Sequence, residues 1–247
     1  IISFAATWKI ENSLDEMRQT DEEKAPLLEE LKSLWEHSKT RNFTIFVFLS
    51  MTAYFMQELI LEPYAGIVFQ YTPSQTTSLS GMQNGGVFIG MLTVGILATA
   101  LKFGTLKSWV QAGCFGSCLM LISIMLLGQI NSSIPLELAV VGLGFFNVMF
   151  AVAAIGSMMS LAGSGSKRRE GTRMGLWGAA QAIAAGFGGL LGTILVDLLQ
   201  VADLSPVNAY GMVFSLEASL FALAALLAST SITFNKSYGK NIAIPGE

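Results

Sequence analysis

Six long, mostly apolar stretches dominate the chain, near 43–69, 79–101, 108–128, 135–163, 174–199 and 209–233. A helix needs about 20 such residues to cross a bilayer. The segments between them carry turn chemistry or charge: Thr72-Pro73-Ser74, Lys102 to Lys107, Asn131 to Pro135, Gly163 to Arg173, and Asp203 to Asn208 around Pro206. Charged residues make up 13% of the chain, against about 25% in soluble domains, so most of the surface does not face water. The pattern predicts an all-α integral membrane protein with six transmembrane helices.

Direction follows from the basic residues. Lys9, Arg18, Lys24, Lys32, Lys39 and Arg41 precede the first stretch, Lys102 and Lys107 follow the second, Lys167, Arg168, Arg169 and Arg173 follow the fourth, and Lys236 and Lys240 follow the sixth. These are all 14 Lys and Arg, and six spans put every one on the same side. The positive-inside rule makes that side cytoplasmic, with both ends of the fragment there. Nothing resembles a basic nucleic-acid face.

Residues 1–8 read as the remnant of a preceding transmembrane helix. They are too short to span and lack the basic region and cleavage site of a signal peptide. Residues 9–42 are charged, with Leu27, Leu28, Leu31, Leu34 and Trp35 at helical spacing after Pro26. They read as a cytoplasmic linker with an amphipathic helix. The bundle is expected over 43–233 and a cytoplasmic tail over 234–247. Gly81, Gly85, Gly86 and Gly90 open the second stretch, and Gly186, Gly188, Gly189 and Gly192 fill the fifth. Small residues let helices approach closely in lipid, so these two spans are expected to be central and tightly packed. Their matching places agree with an inverted three-plus-three repeat.

Ionisable groups within spans are functional candidates, because lipid solvates them poorly. Glu58, Glu62 and Glu217 lie inside spans, and Asp197 lies near the end of one. Without a basic partner at that depth, such acids must be protonated, hydrated or cation-bound. Glu58 and Glu62 are four apart on one helix face, beside Gln57, and Pro63 disfavours helical geometry at Glu62. The segment Gln57–Tyr64 is therefore the leading site candidate. Asn84, Asn147 and Gln181 are secondary candidates, suited to bonding between helices. Arg173 stands where it would bind lipid phosphate or lock a gate. Cys114 and Cys118 read as packing residues. A P-loop, a dinucleotide fingerprint and HExxH are all lacking, and one histidine, His37, cannot supply a catalytic triad. The expectation is that the chain is not an enzyme.

Two segments resemble the PucC/LhaA family. One is Met56-Gln57-Glu58-Leu59-Ile60-Leu61-Glu62-Pro63-Tyr64-Ala65-Gly66. The other runs from Arg169 through Arg173, Trp177 and Gln181 to Gly192. In the family a second glycine is usual at Ala65 and an aspartate at Glu58, both mild departures. The resemblance implies the C-terminal half of a major-facilitator-like twelve-helix fold, with a missing N-terminal six-helix half as partner. It implies a photosynthetic membrane, thylakoid or intracytoplasmic, and delivery of chlorophyll or bacteriochlorophyll during light-harvesting complex assembly. Antenna apoproteins, pigment-synthesis enzymes and membrane lipids are the implied partners. The pigment or substrate site candidates are Gln57, Glu58, Glu62, Tyr64, Asn84 and Glu217. Those of a cytoplasmic loop or gate are Arg169, Arg173, Trp177 and Gln181. No metal site is built from protein alone. Pigment, as cargo, would place its magnesium on Glu58 or Glu62, because magnesium accepts oxygen ligands. The alternatives are a proton- or cation-coupled transporter and a pigment-free scaffold for antenna apoproteins.

Overall fold

Backbone groups with no water to bond must bond one another, so an apolar stretch in a membrane becomes a helix. The computed structural model describes residues 32, 35–101, 103–130, 134–163 and 170–231. It forms six helices: α1 (Ser38–Val68), α2 (Pro73–Val94), α3 (Leu106–Ile130), α4 (Ile134–Gly163), α5 (Glu170–Val201) and α6 (Pro206–Ser231). All six are long and apolar enough to cross a membrane, and no strand occurs among the described residues. The chain is an all-α integral membrane protein. The expected helix remnant at 1–8, most of the linker before α1, Arg169 and the tail 234–247 lie outside the described residues.

Local chemistry sets the helix ends. Pro73 opens α2, and Thr72 and Gln75 form a capping box, with the Thr72 backbone N–H donating to Gln75 Oε1 at 2.8 Å. At its far end α2 widens into a π turn at Gly95–Ala100, where the Leu101 N–H reaches the Ile96 carbonyl at 3.1 Å. Helix α1 starts at Ser38, ahead of the expected span. It also runs unbroken through Pro63, where the sequence had suggested a break. Only the Leu59 carbonyl loses its intrahelical partner there, because proline has no N–H.

Helix α1 packs against α5 and α6, α4 packs against α2 and α3, and α3 packs against α6. Exchanging α1–α3 with α4–α6 leaves this pairing unchanged, as an inverted three-plus-three arrangement requires. Tyr64 ties three helices together. Its ring lies 5.5 Å from Tyr210 and 4.9 Å from Phe214 of α6, and its hydroxyl donates to the Ile124 carbonyl of α3 at 2.8 Å.

The expectation that the second and fifth spans are central is corrected. Only 17% of the apolar window of α2 and 28% of that of α5 are buried, against 44–61% for the other four helices. Their glycines pack on one side only. A Cβ on Gly86 would strike the Val141 backbone of α4, and one on Gly188 the Thr52 backbone of α1. The opposite sides, with Gly81, Gly85, Gly175, Gly178 and Gly186, meet nothing within 4 Å. The small residues seat each helix closely on one neighbour and leave its other face open.

Candidate functional site

At about 100° per residue, neighbours on a helix face different ways, and this divides the leading segment. Gln57 and Tyr64 point inward and are 0% and 1% exposed, whereas Glu58 and Glu62 stand on the open side of α1. Among the described residues, the Gln57 amide has no hydrogen-bond partner. Glu62 is tied to α2, because the Ser80 hydroxyl donates to its Oε1. The Asn84 amide donates to the Ser80 carbonyl at 3.0 Å. Glu62, Ser80 and Asn84 therefore form one polar cluster across the α1/α2 seam. Ser80 was not legible as a site residue. Its only signal is that it lies four residues before Asn84.

One turn below Glu58 on the same face is Tyr54, which lines a pocket of about 200 Å³ between α1, α2, α4 and α5. Phe55, Val87, Asn147, Phe150 and Gln181 line it as well. Glu58 and Glu62 thus lie one and two turns along α1 from an aromatic pocket with two amides in its wall. An exposed carboxylate within a span faces a cavity or further protein rather than lipid. Oxygen donors there suit a hard cation. No group of three or more His, Cys, Asp or Glu able to hold a metal occurs among the described residues.

Glu217 is set apart from these acids. It is 0% exposed inside α6, and neither carboxyl oxygen has a hydrogen-bond partner among the described residues.

The helix ends carrying Lys39, Arg41, Lys107 and Arg173 lie together. There Arg173 Nη1 donates to the Leu161 carbonyl at 3.0 Å, joining α5 to α4. Trp177 is fully buried, edge-on to Phe43 at 5.0 Å, and its Nε1 donates to Thr44 Oγ1 at 3.1 Å. His37, Lys39, Arg173 and Trp177 line a second pocket of about 290 Å³. Gln181 belongs to the first pocket and not to this one. Lys107 fastens the same end by donating to the Ser229 carbonyl of α6.

These features define a polytopic helical membrane protein with an exposed, acid-bearing helix face and an apolar pocket between its helices. The family described as PUCC protein matches residues 1–235, and the chain belongs to the PucC family. It is 56% identical over 230 residues to the "Bacteriochlorophyll synthase 44.5 kDa chain" of Rhodobacter capsulatus, covering 93% of this chain and 53% of that one. It is 30% identical to "Protein PucC" of Rhodobacter capsulatus, over 92% of this chain and 50% of the relative. "Protein PucC" of Cereibacter sphaeroides is 27% identical over 90% of this chain and 48% of the relative. The chain spans about half the length of these curated relatives.

The first relative corrects one expectation. A protein 56% identical to this chain bears the name of a synthase chain, which points to an enzyme rather than a non-enzyme. The sequence argument had excluded nucleotide, zinc and triad signatures only. Those motifs do not cover every chemistry that carboxylates in an apolar site can support.

Proposed function

We propose that this chain is one six-helix half of a facilitator-type protein of the photosynthetic membrane, and that its open face handles (bacterio)chlorophyll during light-harvesting complex assembly. The observation that carries the reading is the position of Glu58 and Glu62. Both are exposed on α1, one and two turns along the same face from Tyr54, which walls a pocket with Phe55 and Phe150. A macrocycle has an apolar plane and a central magnesium, and this face offers aromatic contact beside carboxylate oxygens. The pocket holds about 200 Å³, below the ~300–1,000 Å³ of ordinary ligand sites. It takes an edge or substituent of the pigment, and the rest lies on the open face. The shared pigment in the name of the 56% identical relative supports this reading. Synthesis and delivery both need a bound tetrapyrrole, a precursor in one case and the finished pigment in the other.

The open sides of α2 and α5 fit a second six-helix unit closing over the site, supplied by the part of the relatives that this chain does not span. With the basic helix ends cytoplasmic, Arg173 and Trp177 hold that end of α4 and α5 to the bundle as a gate would. Antenna apoproteins and pigment-synthesis enzymes are the partners this function requires.

The test is a titration of purified full-length protein with bacteriochlorophyll, read by pigment absorption. Glu58→Ala together with Glu62→Ala is expected to weaken binding at least ~10-fold, which is about 1.4 kcal/mol. Unchanged affinity would remove both acids from the pigment site. A second reading, a proton-coupled carrier, is favoured by one observation, the fully buried Glu217. Uptake into proteoliposomes that requires a pH gradient would select it.

A further inference from the structure

Glu217 can be placed among its neighbours by helix register. Tyr64 of α1 meets Tyr210 of α6 at 5.5 Å and bonds the Ile124 carbonyl of α3 at 2.8 Å. Seven residues are about two helical turns, so a step of seven returns to nearly the same face. Moving seven residues from each toward the basic helix ends gives Gln57, Glu217 and Ser117. A second contact leads to the same level. Phe150 of α4 and Phe221 of α6 lie 5.4 Å apart, and one turn back from them are Asn147 and Glu217.

Four helices thus bring one polar side chain each to a single layer inside the bundle. Gln57, Ser117 and Glu217 are 0% exposed and Asn147 is 1% exposed. Ser117 Oγ donates to Asn147 Oδ1 at 2.7 Å. Within this layer, the side-chain atoms without hydrogen-bond partners among the described residues are both oxygens of Glu217, both amide atoms of Gln57 and Asn147 Nδ2. An acid and a carboxamide facing each other are complementary only when the acid holds its proton. The acid then supplies one donor and one acceptor, and so does the amide.

We propose that Glu217 is a proton-binding site in this layer, with Gln57 as its partner across the α1/α6 seam. The polar atoms of both are unpaired as the helices stand, and closure of the seam lets the protonated Glu217 O–H donate to Gln57 Oε1 while Gln57 Nε2 donates to the other Glu217 oxygen. Loss of the proton removes one donor and turns an acceptor toward an acceptor, so the ionised layer requires the seam to part or admit water. Asn147 also lines the aromatic pocket, which connects the layer to the open face.

Among the described residues, helix register places no cation at the level of Glu217. Helix α1 presents Gln57 and, two turns away, Tyr64. Helix α3 presents Ser117, with Cys114 and Cys118 nearby, and α4 presents Asn147. Helix α5 brings Asp197 near Tyr210, at the level of Tyr64. Lys107 and Arg173 lie at the basic helix ends. The inference concerns a site separate from Glu58 and Glu62 and does not rest on the pigment reading.

The test is infrared spectroscopy of the full-length protein in detergent at neutral pH. A carbonyl band of a protonated carboxylic acid is expected, and Glu217→Gln should abolish it. That variant keeps an amide–amide pair and hence the packing. Gln57→Met, similar in length and apolar, should keep the band but shift it to the higher frequency of an acid with fewer hydrogen bonds. A spectrum unchanged by Glu217→Gln, or a band insensitive to Gln57→Met, overturns the proposal. So does a band that sodium removes at constant pH, which would make the layer a metal-cation site.

Discussion

Tyr64 shows how much one side chain can hold in a bundle that gains no hydrophobic energy from pairing its helices in lipid. Its ring fills the junction of α1 and α6, and its hydroxyl bonds a carbonyl on α3. Tyr64→Phe keeps the ring and removes only the hydroxyl. The expected cost is about 0.5–1.5 kcal/mol, seen as a lower midpoint of thermal unfolding in detergent. Trp177→Phe should behave alike, since its loss is one bond to Thr44 with the aromatic contact to Phe43 kept. Ser80→Ala acts on the site instead. It frees Glu62 from α2 without touching the core, so pigment affinity should change while the unfolding midpoint stays constant. At this scale the sequence showed which polar residues lie within a span but not which way each one faces. Gln57, Glu58 and Glu62 are close along the chain. Yet about 100° per residue sends Gln57 into the core and leaves the two acids on the open side. Depth and face are both needed to bring Gln57 to the level of Glu217, and only packing supplies the second.

The helices themselves were legible, because length and apolarity decide whether a segment can span. Their neighbours were not. Glycine content marked α2 and α5 as closely packed, which is true of one side of each. It could not show which side, or that the other side stays open. The two sides should respond differently to substitution. Gly86→Ala and Gly188→Ala place a Cβ against the backbone of α4 and α1, so the yield of folded protein should fall sharply. Gly85→Ala and Gly178→Ala meet open space within this unit and should leave its fold intact. Size-exclusion profiles of detergent-solubilised protein separate these outcomes. Equal profiles for all four would contradict the assigned faces. Pro63 teaches a related lesson. Proline predicts a missing bond more firmly than it predicts a break, and α1 continues through Pro63 as one helix.

For the whole molecule, the pairing of helices repeats when the first three are exchanged with the last three, yet no residue-level repeat shows in the sequence. Packing geometry can be kept by many combinations of apolar residues, which is why the arrangement outlasts the pattern. Membership of the PucC family was legible through the resemblance of two segments rather than through catalytic motifs. The name of a 56% identical relative, a bacteriochlorophyll synthase chain, overturns the inference drawn from the lack of such motifs. The central claim is that the open face bearing Glu58 and Glu62 holds pigment. Its most direct test is an absorption spectrum of the full-length protein, purified in mild detergent from its photosynthetic membrane. The account predicts red-region chlorophyll bands at stoichiometric pigment, lost when Glu58→Ala and Glu62→Ala are combined in a protein that remains folded. A colourless wild-type protein, or bands undiminished in the double variant, would contradict it.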